Sequence, residues 1–239
     1  MKRAWWIAVA LLPASAHALD VSSPYVKEGI LELESKNRFD EDDRASEDGF
    51  RRHFISASYG LSRWWAFELG GEFDRSPQAG YGGLTLLSIE NTFQFTKRGE
   101  YWLDSGLKVS YGVAGESAEP DELDLRLILV RNQGRFRHTA NLGWAQEIGP
   151  SSNANPTGEL RFATRYNLGK WANPGLEYYA AFNEFSHTQN WDAQRHRLGP
   201  ALYGKLADGV SYETGVAFGL SRRAEDSVFK LNLKYEFGL

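Results

Sequence analysis

The feature that most constrains this chain is an apolar–polar alternation of period two that runs almost without a break to its last residue. In the closing stretch VFKLNLKYEFGL, Phe229, Leu231, Leu233, Tyr235, Phe237 and Leu239 share one parity, while Lys230, Asn232, Lys234 and Glu236 take the other. In WAFELGGEF, Trp65, Phe67, Leu69 and Phe73 oppose Glu68, Glu72 and Asp74. YWLDSGLKVSYGV and ELDLRLILV repeat the scheme, and helical i, i+3, i+4 spacing is not sustained after the first 18 residues. Successive side chains of a strand point to opposite faces, so this pattern predicts strands with one greasy and one polar face.

Breaks at Gly, Pro, Asn and Asp clusters place segments near 26–39, 50–60, 64–75, 83–95, 101–113, 122–131, 136–148, 158–168, 175–185, 195–206, 210–221 and 227–239. These are about twelve strands of roughly ten to thirteen residues, the length that crosses an outer membrane at a tilt. The connections alternate in character. Short turns such as 61–63, 96–100, 132–135, 169–174 and 206–209 are interleaved with longer, more polar loops such as 40–49, 76–82, 114–121 and 186–194.

A soluble sandwich and a porin-like barrel both predict alternation, so the aromatics have to discriminate. Tyr59, Trp64, Trp65, Phe95, Tyr101, Phe136, Tyr166, Trp171, Tyr235 and Phe237 lie beside the short turns. Phe39, Phe73, Tyr111, Trp144, Phe182 and Phe229 lie beside the long loops. Two belts of rings fit the two interfaces of a membrane. The expected fold is therefore an all-β, antiparallel, up-and-down transmembrane barrel.

The start of the chain points the same way. Met1-Lys2-Arg3 is basic, Ala4 to Leu12 is apolar but too short to span a bilayer, and Ala16-His17-Ala18 is a small-x-small site. That order predicts a signal peptide over 1–18 and a single barrel domain over 19–239. The chain carries 27 Lys and Arg against 31 Asp and Glu, and loss of Lys2 and Arg3 widens the acidic excess. A nucleic-acid binder is not expected from such a balance. There is no cysteine, which excludes disulfides and thiolate metal sites.

With these residues in view, the chain resembles Gram-negative outer-membrane β-barrel proteins, whose last strand carries an aromatic recognised by the insertion machinery. The resemblance implies that Tyr235, Phe237 and Leu239 form the insertion signal, although the family usually ends on the aromatic itself. It implies outer-membrane lipid, lipopolysaccharide, the insertion machinery and periplasmic chaperones as partners, with both termini in the periplasm. More narrowly, SPYVKEGILELES, YWLDSGL and QRHRLGPALYGKL look like a group of uncharacterised barrels, some labelled phenol meta-pathway proteins or transporters.

Twelve-stranded outer-membrane phospholipases carry a His and a Ser two residues apart on the lipid face. Here Ala140 follows His138 at that spacing, His196 precedes Arg197-Leu198, and Ser186 and His187 would fall on opposite faces. No catalytic residue is assigned and no cofactor is expected. The acidic run Asp40 to Asp43 with Glu47 and Asp48 could gather a divalent cation, yet it lacks calcium-loop spacing, and a solvated loop is the expectation. No metal site is assigned.

The lumen is then the place to look. The inward parity puts Glu68, Glu72, Asp74, Glu90 and Asp104 on strands three to five, and Arg161, Arg165, Arg195, Arg197 and Lys205 on strands eight and ten. This predicts an acidic and a basic wall facing each other. Glu32 and Glu34 on the first strand oppose Lys230 and Lys234 on the last, where they would pair across the closing seam. The leading expectation is a passive channel for small polar or charged solutes. A closed barrel with a salt-bridged lumen, and a route for small apolar or aromatic compounds, are the alternatives.

Overall fold

The computed structural model describes residues 19–76, 80–115, 119–150, 152–182 and 190–238, with no side-chain description at 80–82. The expected leader over 1–18, His187 with Ser186, and Leu239 lie outside the described residues.

Twelve strands follow in order: β1 (Ile30–Glu41), β2 (Arg51–Ser62), β3 (Trp65–Ser76), β4 (Gly80–Gln94), β5 (Asp104–Ala114), β6 (Asp121–Gln133), β7 (Phe136–Ile148), β8 (Thr157–Tyr166), β9 (Asn173–Phe182), β10 (Arg195–Ala207), β11 (Val210–Gly219) and β12 (Ser227–Gly238). Each pairs antiparallel with the next, and β1 pairs with β12 to close the ring. Closure removes every edge, so all ladder groups find partners inside the sheet. A 3-10 turn, Trp191–Ala193, precedes β10.

The burial is inverted relative to a soluble protein. Leu33, Ile55, Leu69, Leu125, Leu142, Phe162, Leu176, Leu231 and Leu233 are exposed, while Lys36, Arg38, Arg52, Glu72, Lys108, Arg126, Arg161, Glu177 and Lys230 are buried. In a sandwich the apolar parity would be the core. Here it forms the outer band, and the polar parity fills the barrel. The aromatic belts follow the strand ends. The rings of Trp65 and Phe93 stack at 6.4 Å, Phe136 and Tyr166 lie 5.0 Å apart, and Phe39 meets Phe229 at 6.4 Å.

The first strand differs from expectation. The wall begins at Ile30 rather than near residue 26, because Gly29 adopts φ +73° and its N–H bonds the carbonyl of Gly60. An L side chain rarely takes that conformation, so glycine is what allows the chain to leave the sheet there. Residues 19–29 run inside the barrel.

Candidate functional site in the barrel lumen

Segment 19–29 touches inward-facing side chains on several sides of the ring. Leu19 packs on Tyr179, Ala217 and Val228. The Asp20 carboxylate lies 2.9 Å from Arg161 Nη1 and 3.2 Å from Lys36 Nζ. The Ser22 N–H donates to Asn141 Oδ1 at 2.7 Å, and Asn141 Nδ2 donates back to the Ser22 carbonyl at 3.1 Å. Tyr25 Oη donates to Asp104 at 2.5 Å, and the Val26 N–H donates to Gln94 Oε1 at 2.8 Å. Lys27 pairs with Glu236. These polar contacts to β1, β4, β5, β7, β8 and β12 hold a segment that belongs to no strand.

Above Asp20, toward the long loops, the connection between β11 and β12 folds inward. Glu225 accepts from Arg197 Nε at 2.7 Å and from Arg38 Nη2 at 3.1 Å, with Arg195 at 3.7 Å. Arg38 also binds Asp40 with two hydrogen bonds of 2.6 and 2.5 Å. Arg44 Nη2 donates to the Ala224 carbonyl at 3.0 Å, so one long loop braces another. Burial alone would raise the Glu225 pKa, but the guanidiniums of Arg197, Arg38 and Arg195 hold it down to about 2.

The expected wall residues all lie on inward-facing positions, yet they do not stand as two opposed, bare walls. Glu72 and Asp74 pair with Arg52 at 3.0 and 2.7 Å, and Glu90 and Glu68 meet Lys108 at 2.6 and 3.9 Å. Asp104 accepts from Tyr25 and from the Gly99 N–H. On the other side Arg161 binds Glu159 at 2.6 Å, while Arg195 and Arg197 share Glu225. Arg165 and Lys205 line a cavity instead. Buried ions are costly unless partnered nearby, so these wall residues find opposite charges on their own strand, one or two strands away, or on an infolded loop rather than on the opposing wall. The same parity that gives the walls also points Arg52, Lys108 and Glu159 inward, and these neutralise the acidic residues of β3 and β4 and Arg161, while Glu225 from a loop takes Arg195 and Arg197.

At the seam, Glu34 opposes Lys234 in register, and Lys234 reaches Glu32 at 2.6 Å and Glu34 at 3.9 Å. Lys230 turns the other way. It binds Glu177 at 2.6 Å, Glu213, and the Tyr179 hydroxyl at 2.9 Å. Tyr235 and Phe237 face outward with rings 5.3 Å apart.

Below Asp20 the lumen widens into a cavity of about 680 Å³, bounded by segment 20–27 and reaching the short-turn rim at Gly60, Gly169 and Gly204. Among the described residues no cluster of metal-ligating side chains occurs. Asp40 and Asp42 of the acidic run are taken by Arg38 and Arg44, and the Arg44 hydrogen bond is what chiefly lowers the Asp42 pKa. The outward His138 ring stacks between Phe136 and Phe162, and both nitrogens of His196 are engaged, by Tyr178 at 2.8 Å and Gln194 at 2.9 Å.

No protein-family model matches the chain, and no curated protein matches its sequence. Among solved structures, it is similar to an outer membrane channel from Pseudomonas putida F1, with 11% identity, a TM-score of 0.62, and coverage of 93% of this chain and 99% of that one. It is also similar to the translocator domain of the autotransporter NalP from Neisseria meningitidis, with 10% identity, a TM-score of 0.51, and 87% of each chain covered. At such identities the likeness is one of fold. The chain has the fold of an outer-membrane β-barrel.

Proposed function

We propose that this protein resides in the outer membrane, short turns and termini toward the periplasm, as a channel for small polar or charged solutes whose constriction is its own segment 19–29. One observation carries the reading: a charged lumen opens from the short-turn rim into a 680 Å³ cavity and ends on a stretch of chain that is not part of the wall. Segment 19–29 is tethered by individual hydrogen bonds and ion pairs, of the kind a passing solute or water can replace, whereas a wall strand is held by two ladders. The likeness of fold to the Pseudomonas channel agrees with this reading. The charged lining does not favour a luminal path for apolar compounds.

A closed barrel is the second reading, and the Glu225 cluster favours it, because Arg38 and Arg197 from β1 and β10 converge there on one carboxylate. Planar-bilayer recording separates the two. A channel gives discrete unitary steps in the wild type, and Arg165→Ala shifts the reversal potential toward cations under a salt gradient. Silence in the wild type, with steps appearing only in Arg197→Ala, identifies the charge clusters as a seal and overturns the channel reading.

A further inference from the structure

Nine cationic side chains and six carboxylates line the cavity below Asp20. Lys27, Lys36, Lys108, Lys170 and Lys234 each have a carboxylate within ion-pair distance. Arg98, Arg137, Arg165 and the exposed Lys205 do not, among the described residues, and the cavity's cationic excess rests largely on the three arginines. Arg98 comes from the turn after β4, Arg137 from the start of β7 and Arg165 from the end of β8. They are close enough to repel one another.

Their surroundings relieve this only in part, through the attraction of Glu213 for Arg165 and of the Tyr25 hydroxyl for Arg137. Asp104 already accepts from Tyr25 and Gly99, and Glu213 is held by Lys230. Arg137 Nε donates to Asn132 Oδ1 at 3.2 Å, but its Nη2 is buried with no hydrogen-bond partner, and so is Nε of Arg165. Gathering like charges and unsatisfied donors in one part of a lumen is unfavourable, and an anion reverses both terms at once.

The geometry also prepares the guanidiniums for a ligand. Arg98 and Arg137 lie over the ring of Tyr25, at 4.7 and 5.3 Å from its centre, and Arg165 lies over Tyr203 at 5.3 Å. An aromatic ring supports the face of a guanidinium and leaves its N–H edge free for the two-point hydrogen bonding that carboxylates and phosphates accept. Tyr25 belongs to the luminal segment, so the site is assembled jointly by that segment and the wall.

We propose that Arg98, Arg137 and Arg165 form a binding site for a small oxyanion, a carboxylate or phosphate, entered from the short-turn rim. The side chains face the lumen, which selects a free solute over a lipid headgroup. The site does not depend on the lumen conducting, so its test is separate from that of the channel.

The test is titration calorimetry of the full-length barrel in non-ionic detergent at low ionic strength, with succinate and inorganic phosphate as probes. At least one probe binds saturably. Arg137→Gln combined with Arg165→Gln weakens that binding tenfold or more, while Arg51→Gln combined with Arg63→Gln, which removes two ring-stacked arginines outside the cavity, changes it less than twofold. Should the first pair fail to fold, Arg98→Gln on the exposed turn weakens binding threefold or more. Absence of saturable binding for both probes, or equal weakening in the control pair, overturns the site.

Discussion

Asp20 Oδ1 lies 2.9 Å from Nη1 of Arg161, joining a segment outside the sheet to the middle of β8. Arg161 is in turn bound to Glu159, and Lys36, the other cation on Asp20, to Glu34. Losing Asp20 therefore leaves both cations partnered, and the wall is expected to survive. Asp20→Ala is expected to speed hydrogen exchange at the Ser22 and Val26 amides tenfold or more, with exchange along β7 and β8 unchanged. Mass-resolved exchange on the folded barrel checks this, and slow exchange persisting at both amides would show that Asp20 is not an anchor.

Lys230 and Lys234 sit four residues apart on the last strand and differ in burial, with side chains 4% and 33% exposed. Lys230→Ala strands Glu177 and Glu213 in the barrel interior, and removing one partner of a buried ion cluster costs about 3 to 5 kcal/mol. Lys234→Ala is expected to cost clearly less, because water already reaches its site. Urea unfolding in lipid vesicles measures both, and equal losses would contradict the burial difference.

The two faces of β12 give a sharper contrast. Leu233 is on the outer face and Asn232 is buried on the inner one. Leu233→Arg is expected to destabilise by roughly 2 to 4 kcal/mol if the site lies near the bilayer midplane. Asn232→Ala is expected to be mild, since neither of its side-chain polar atoms has a hydrogen-bond partner. The same unfolding assay decides, and comparable effects at both sites would contradict the assignment of faces.

Much of this architecture is legible in the alternation alone. Strand positions follow from it to within a few residues, and the faces follow with them, because a two-residue period fixes every side chain once one is placed. Two things escape it. Residues 26–29 read as the start of a strand, with Glu28 on the inward parity of Glu32 and Glu34, and only Gly29 marks the break. Glu225 lies on a loop, where parity says nothing, yet it organises the upper cluster. The charge walls were visible as inward carboxylates and guanidiniums, but sorting them by sign hides their neighbours. Arg52 beside Asp74 emerges only from the cross-strand register, whereas Glu159 beside Arg161 is an i, i+2 neighbour on one strand that sorting by sign passes over.

Glu225 also gives the upper cluster a pH dependence. Its folded pKa is lowered to about 2 from the ordinary carboxylate range near 4.5, so its contribution is fully present above the unfolded value and is lost as pH falls toward 2. Thermal unfolding in detergent is expected to lose stability between pH 5 and pH 2 in the wild type, and by a smaller amount in Glu225→Gln. An identical loss in the two proteins would remove Glu225 from the account.

The most direct measurement is the unitary conductance of Asp20→Ala against the wild type in planar bilayers, with resistance to detergent before heating used to show that both barrels are closed. The account expects discrete steps in the wild type and larger or longer openings in Asp20→Ala, because the variant frees segment 19–29 without breaking the wall. Identical steps in the two proteins, or silence in both, would contradict the assignment of that segment as the constriction of a channel.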